Sequence, residues 1–329
     1  MAILASLFFG FMPMFVFAYM LYWLDRYEKE PKILLGVVFV WGAVIAAGGA
    51  FIINTVLGLG IYIFTGSEAA SDLTTGSLIA PLVEESLKGL AVLIVFLLFR
   101  REFDSLLDGI IYAGVAALGF AATENAYYIY NYGYAESGWE GFWFLVFVRV
   151  ILVGWQHPFY TAFTGIGLAL ARLNRPAAVK ILAPLAGIGL AMLTHAFHNT
   201  LAAFLEDLPG LAISTFADWS GWFFMFIFII WVSASEQNLL KRHLREEVSL
   251  GVITLAQYRT AASAWAQSFA RLAALSSGRY RTTARFYQVC GELAHKKQQL
   301  VTLGDESGNA AIIQKYRAEL ARLAQRAQV

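Results

Sequence analysis

Glu84, Glu85 and Lys88 fall within five residues of one another inside the apolar run 77–99. A charged side chain at the centre of a bilayer helix costs about 2.5–3.5 kcal/mol on insertion scales, so a segment that only had to span would not carry three. Glu84 and Lys88 are four apart and share a helix face, which makes an ion-pair staple the plainest reading. Lys88 neutralises one carboxylate, and the second needs its own explanation. Other apolar runs carry polar groups of their own. The run 109–130 holds Glu124 and Asn125, 141–173 holds Arg149, Gln156, His157, Thr161 and Thr164, and 180–205 holds His195, His198 and Asn199. At about 1.5 Å per residue from the outer helix ends, Glu85 lies roughly 12 Å deep, Glu124 roughly 9 Å and His195 roughly 15 Å. Four runs thus place ionisable groups between the outer half and the middle of a bilayer. Asn54, in the run 33–59, reads as a helix-packing hydrogen bond.

Such a set can hydrolyse a peptide bond. Carboxylate and imidazole supply the base that activates water and the acid for the leaving amine. An Asn amide and a His N–H supply donors for the developing oxyanion. A metal ion is the other route, since zinc takes His and Glu ligands, usually three plus water. Glu85, Glu124, His157, His195 and His198 offer enough ligands. There is no His-Glu-x-x-His motif, so such a site must be assembled between helices. The single cysteine, Cys290, excludes a Cys-based zinc site and a disulfide within the chain. The competing class is a proton-coupled carrier or channel, which uses buried Glu, His and Lys as a relay; the paired repeats of many carriers are missing. A non-catalytic membrane adaptor is a third reading.

The elements that must position these residues are membrane helices. The chain is 59% hydrophobic and 14% charged, against about a quarter charged in soluble domains. Seven runs are long enough to cross: 3–23, 33–59, 77–99, 109–130, 141–173, 180–205 and 221–235. The expected fold is all-α, a polytopic bundle of about seven transmembrane helices with a small helical tail. Pro158 is the expected kink in the long fifth run. Without a positive n-region, residues 1–23 read as a first span and not a cleaved signal peptide. Residues 1–235 carry a net charge of −6 and 236–329 a net of +7, which sets the expected division into a transmembrane core and a basic helical domain. Connecting stretches alternate: 25–32, 100–108 and 172–180 hold Lys or Arg, whereas 65–76, 131–140 and 206–220 hold none. The positive-inside rule places the N-terminus outside and the tail in the cytoplasm of a multi-pass protein of the cell membrane. Tail helices are expected over 252–275, 279–303 and 310–327, their charge facing either solvent or the anionic inner leaflet. The implied partners are membrane lipid and a membrane-anchored protein substrate, not nucleic acid.

The motifs Glu84-Glu85-x-x-Lys88, Phe120-x-x-x-Glu124-Asn125, His157 and His195-x-x-x-Asn199, in this order and each inside a run, resemble the PrsW intramembrane proteases. These are grouped with the CAAX prenyl endopeptidases and the CPBP-type proteases. The resemblance covers about residues 30–205 and implies membrane-embedded peptidase activity, linked in that family to site-1 cleavage of a membrane-anchored anti-sigma factor. It implies Glu84 as the base with Glu85 in support, and His195 and Asn199 as the oxyanion pocket. Where the CAAX endopeptidases carry a His in the second motif, this chain has Glu124, and His157 fills the gap. The superfamily has been described both as metal-dependent and as metal-free, and the resemblance leaves both routes open, with glutamate-activated water the leading expectation.

Overall fold

Small residues decide how this chain packs. The computed structural model describes residues 1–205, 208–305 and 308–327, and the described residues form helices and connecting turns with no strand. Helix α6 (Leu106–Tyr128) is buried along almost its whole length at the centre of the bundle. Helix α1 (Ala2–Leu24), α2 (Lys32–Val40), α5 (Ala80–Leu98) and α8 (Gln156–Leu173) surround it. In lipid, where hydrophobicity does not drive helix association, close backbone approach at Gly and Ala does the work. A Cβ added at Gly42 would lie 1.9 Å from the Ala116 carbonyl, and one at Gly165 would lie 2.0 Å from that of Gly109. Gly165→Val is therefore expected to cost about 1–3 kcal/mol or more through overpacking, read as a lower melting temperature in detergent.

α6 starts where it does because Ser105 and Asp108 form a capping box. Ser105 Oγ accepts from the Asp108 amide at 3.2 Å, and Asp108 Oδ2 accepts from the Ser105 amide at 2.6 Å.

Among the described residues, five helical stretches are long and apolar enough to cross a membrane: Ala2–Leu24, Lys32–Thr65, Leu106–Leu173, Ala177–Phe204 and Pro209–Ser249. The second comprises α2, a π-helical segment Trp41–Ala46 and α3 (Ala47–Thr65). The third folds back on itself, because Gly109 near its start meets Gly165 near its end. It runs from α6 through a π-helical segment Ile129–Tyr134, α7 (Ala135–Val146), a second π-helical segment Phe147–Leu152, and α8. The break before α8 falls at residues 153–155 and not at Pro158. Pro158 sits in the first turn of α8, where its missing N–H would have had no helical partner. α4 (Glu68–Thr74) and the π-helical segment Thr75–Ile79 lead into α5, and α9 (Ala177–Phe204) packs on α8. α5 has the length of a span, and its three charges keep it out of a purely compositional count.

α10 (Leu208–Ser249) runs unbroken through Glu236, and α11 (Leu255–Ala261), α12 (Ala264–Ser276), α13 (Tyr280–Leu303) and α14 (Asn309–Ala324) follow. The single helix expected over 252–275 is two, because Ser263 ends α11 and caps α12 by accepting from the Ala266 amide. These helices enclose a second apolar cluster, around Leu240, Phe286, Leu293 and Leu320, which also takes in Tyr27 from the loop after α1. Part of the tail's positive charge is paired within the protein. Lys297 lies 2.8 Å from Glu247, Arg317 2.7 Å from Glu247, and Lys296 3.1 Å from Asp104.

His295 also faces Asp104, at 3.1 Å. Burial disfavours its charge, but Asp104, Glu28 and Glu236 around it raise its pKa well above the ordinary value. Burial likewise opposes ionisation of Asp104, yet His295 and Lys296 hold its carboxyl well below the usual range. A raised histidine pKa contributes stability that is complete below about pH 6.5 and is lost as pH rises through the folded value. The contact between α13 and the loop before α6 should accordingly loosen as pH rises above neutrality. The expected observation is rising protease sensitivity of the 276–279 turn with pH, much flattened in His295→Gln protein.

Candidate active site

α5 carries Glu84, Glu85 and Lys88 into the interior, where they are 6%, 0% and 0% exposed. Lys88 Nζ donates to Glu85 Oε1 at 2.7 Å, lies 3.5 Å from Glu84 Oε2 and 3.1 Å from His157 Nδ1, and sits 4.1 Å above the Phe120 ring. Glu85 is fully engaged. Its Oε2 accepts from Thr161 Oγ1 at 2.8 Å, and its Oε1 lies 3.0 Å from His195 Nδ1. The His195 ring stacks on Tyr160, with centroids 4.8 Å apart. Its other nitrogen, Nε2, is 3.8 Å from Glu84 Oε2.

Glu124 enters from α6. Its Oε2 accepts from Arg149 Nη2 at 2.5 Å and from His157 Nε2 at 2.8 Å. Arg149 also donates to Asn125 Oδ1 at 2.9 Å and lies over the Tyr128 ring. The break before α8 allows this meeting, because it places His157 in the first turn of a helix that starts inside the bundle.

The structure therefore brings Glu84, Glu85, Lys88, Glu124, His157 and His195 into one cluster and leaves two expected residues at its margin. His198 lies 2.9 Å from Gln156 Nε2 and 3.1 Å from Asp218 Oδ2. Asn199 Nδ2 donates to the Gly76 carbonyl at 2.8 Å, holding the π-helical segment before α5. Arg149, Tyr160 and Asp218 belong to the network, though sequence reasoning gave them no place in the site. The signal for Arg149 was there: an arginine inside an apolar run requires a buried partner. Asn54 departs from expectation in the other direction. Its Oδ1 is buried with no hydrogen-bond partner among the described residues, so it makes no packing bond through that atom.

Because a carboxylate only accepts, the ring protons are assigned to His157 Nε2 and His195 Nδ1. That leaves the His195 Nε2 lone pair 3.8 Å from Glu84 Oε2 and the His157 Nδ1 lone pair 3.1 Å from Lys88 Nζ. One ligand atom from each of Glu84, His157 and His195 lies within 4.8 Å of the others. A ligating histidine that gives its other N–H to a carboxylate is the usual outer arrangement of a metal site. Charge points the same way. Glu84, Glu85 and Glu124 face Lys88 and Arg149, which leaves one negative charge uncompensated among the described residues of this buried cluster, a costly state unless a cation or proton joins it. The donor set fits a divalent ion. A second trio, Glu28, Asp104 and His295, lies at the tail contact. There Lys296 pairs with the Asp104 carboxylate at 3.1 Å, as Lys88 contacts Glu84 and His157 in the first trio.

A helical bundle with several membrane-length helices and a buried carboxylate–imidazole centre defines a multi-pass membrane protein with a polar site inside its helices. Residues 30–233 match the model of the PrsW family intramembrane metalloproteases, and the chain belongs to that family. It is similar to "Protease PrsW" of Clostridioides difficile (strain 630), 38% identical over 108 residues, which is 32% of this chain and 43% of that protein. It is also similar to "Protease PrsW" of Geobacillus kaustophilus (strain HTA426), 33% identical over 105 residues, again 32% and 43%. The chain thus spans less than half the length of the curated relatives it matches. No solved structure matches it.

Proposed function

We propose that this protein is an intramembrane endopeptidase in which Glu84, His157 and His195 hold a divalent metal ion, zinc being the ion best suited to a His/His/Glu set. The observation that carries the reading is that Glu84, His157 and His195 each bring a ligand atom within 4.8 Å of the others, with each ring also facing a carboxylate of its own. When bound, the ion acts as a Lewis acid and lowers the pKa of water. Glu124 fixes the His157 ring and Glu85 fixes that of His195. Lys88 pairs with Glu85 at 2.7 Å, and Arg149 pairs with Glu124. Asn199, one turn beyond His195, is the candidate donor to the oxyanion, as the motif resemblance implies. The order of the motifs further supports kinship with the CAAX prenyl endopeptidases, and the family resemblance supports a membrane-anchored anti-sigma factor, cut at site 1, as substrate. The test is metal content. About one divalent ion per chain in purified protein, with cleavage stopped by a chelator and restored by zinc, is expected; cleavage by ion-free protein would overturn the metal assignment.

We further propose seven passes, formed by α1, α2 with α3, α5, α6, α7 with α8, α9, and α10, with the N-terminus outside. The transmembrane core is 1–235, and 236–329 forms a cytoplasmic unit. Support comes from the Lys/Arg-bearing loops, which meet the tail helices: Tyr27 lies against Gly291, Asp104 against His295, and Arg175 against Gly304. Cysteines at Glu68 and Glu136 should label with an impermeant reagent on intact cells, whereas cysteines at Arg101 and Ser277 should not. Cys290 is buried and gives little background. The reverse labelling pattern would invert the topology.

A further inference from the structure

α12 keeps its largest apolar side chains on its outer face. Gln267, Ala270 and Ala274 are its buried residues, whereas Trp265, Phe269 and Leu272 are 68%, 67% and 61% exposed. Spacings of four and three residues put these three in one stripe along the helix. Large apolar side chains gathered on an exposed surface mark contact with a partner or a membrane. The stripe begins at the level where the spans end. Arg26, just beyond α1, has its guanidinium 3.3 Å from the Trp23 ring centroid and 5.6 Å from that of Trp265. Trp23 stands in the last turn of α1 and is half exposed, as indole rings are at a membrane–water boundary. Gln237, just beyond the apolar run that ends at residue 235, donates to the Ala262 carbonyl at 2.9 Å, immediately before α12. The far end of α12 stays at the same level, since Arg271 and Tyr280 lie within electrostatic reach of the Tyr22 hydroxyl. α12 therefore runs across the ends of α1 and α10 and not away from them.

Cations collect at the same place. Lys29 Nζ and Lys32 Nζ lie 4.7 and 5.4 Å from the Tyr22 ring centroid, beside Arg26 and Arg271. Asp25, the acid among them, is buried, and its carboxylate accepts from the Glu28 and Glu30 amides. A Trp/Phe/Leu stripe bordered by cations at the membrane boundary is the composition of an interfacial helix. We propose that α12 lies in the leaflet on the tail side of the membrane, with Trp265, Phe269 and Leu272 among the acyl chains and Arg26 and Lys32 at lipid phosphates, so that the site prefers anionic lipid. Lipid and not a protein is the occupant because the stripe continues the exposed face of a membrane helix, α1, at Tyr19, Met20 and Trp23. That this leaflet is the inner one rests on the topology proposed above; the contact itself does not. α12 packs on α13, which brings His295 and Lys296 to Asp104 in the loop before α6. Lipid that holds α12 thus also holds the tail helices against the core.

The experiment uses the full-length protein in phosphatidylcholine liposomes with added phosphatidylglycerol, carrying an environment-sensitive fluorophore on Phe269→Cys or, as control, on Ala318→Cys. Ala318 is exposed and adjoins Arg317, which pairs with Glu247, about 16 Å along α10 beyond Glu236. Cys290 is buried and takes little label. Lipid brominated on its acyl chains should quench the Phe269→Cys label and leave the Ala318→Cys label unquenched. Brominated phosphatidylglycerol should quench the first label better than brominated phosphatidylcholine does. Arg26→Gln should cut that preference about fivefold, the contribution of one basic residue at an anionic surface. Trp265→Ser with Leu272→Ser should weaken the quenching and leave the melting temperature in detergent unchanged, because both side chains are exposed. Equal quenching of the two labels, or a water-like, unquenched Phe269→Cys label, would overturn the proposal. So would a shielded label that brominated lipid does not reach, which would give the stripe to a protein partner or a second copy. An undiminished phosphatidylglycerol preference in Arg26→Gln protein would overturn the phosphate contact. Labelling of Ala318→Cys protein by an impermeant reagent on intact cells would invert the topology and leave the quenching result standing.

Discussion

Glu84→Gln, His157→Ala and His195→Ala proteins are each expected to reach the membrane folded, to lose their bound divalent ion, and to fail to cleave a membrane-anchored reporter. Each change removes one of three converging ligand atoms. The outer partners are expected to behave more mildly. Glu85→Gln and Glu124→Gln keep an oxygen that accepts the histidine N–H but drop the charge behind it, a change that typically costs about 10–100-fold in ion affinity or activity. The ligand substitutions should exceed that range. Asn199→Ala has a different signature: ion content intact, with a rate loss on the order of 10²–10³ if its amide serves the oxyanion. Combined ligand variants should lose less than the product of the single losses, because groups acting as one unit are not additive. The measurements are metal analysis and reporter cleavage on the same preparations. Retention of the ion by all three ligand variants would move the metal elsewhere, and full cleavage by a Glu84→Gln, Glu85→Gln double mutant would sink the mechanism.

How far the sequence carried this picture depended on whether a residue's meaning was local. Glu84, Glu85 and Lys88 were readable at once, because a charge in an apolar run is costly wherever it points. His157, His195 and Glu124 followed by the same logic, and the structure gathers these three while leaving His198 beside Gln156 and Asp218. The ligand grouping was not legible. Sequence reasoning named Glu85, Glu124, His157, His195 and His198 as metal candidates; in the structure Glu85 and Glu124 face histidine ring nitrogens, and Glu84 groups with His157 and His195. Spacing along α5 cannot distinguish two adjacent carboxylates, since the choice is made by Thr161 and His195 on other helices. The break before α8 was hidden for a related reason. Proline is the strongest local helix breaker, so Pro158 drew attention, but proline is tolerated in a first turn, and the chain had already turned three residues earlier. Asn54 was expected to make a packing hydrogen bond, because an amide in an apolar run normally finds a neighbour; its oxygen is buried without a partner among the described residues.

Lys88→Met protein is expected to be strongly destabilised in the absence of divalent ion, by about 3–5 kcal/mol, because breaking a buried pair leaves an uncompensated charge. Lys88 is 0% exposed and touches both carboxylates of α5, while Arg149 is committed to Glu124. The partner that suffers most is set by distance: Glu85 at 2.7 Å, Glu84 at 3.5 Å. Lys88→Met with Glu85→Gln should therefore recover more stability than Lys88→Met with Glu84→Gln, a coupling that a double-mutant cycle reads directly. The metal reading adds a second, opposite expectation. Lys88 Nζ sits within 3.1 Å of His157 Nδ1 and 3.5 Å of Glu84 Oε2, two of the three ligand atoms, so it competes with the ion for the same lone pairs. Removing it should tighten ion binding, and zinc should raise the melting temperature of Lys88→Met protein more than that of the wild type, since a ligand that binds the native state stabilises it by mass action. Adding Glu84→Gln should abolish that rescue, and adding Glu85→Gln should leave most of it. Melting in detergent, with zinc and with chelator, separates the two effects. A Lys88→Met protein as stable as the wild type in chelator would mean that the α5 carboxylates are carried protonated and that Lys88 is no counter-charge. Destabilisation that zinc fails to relieve would keep the ion pair and discard the ligand set of Glu84, His157 and His195.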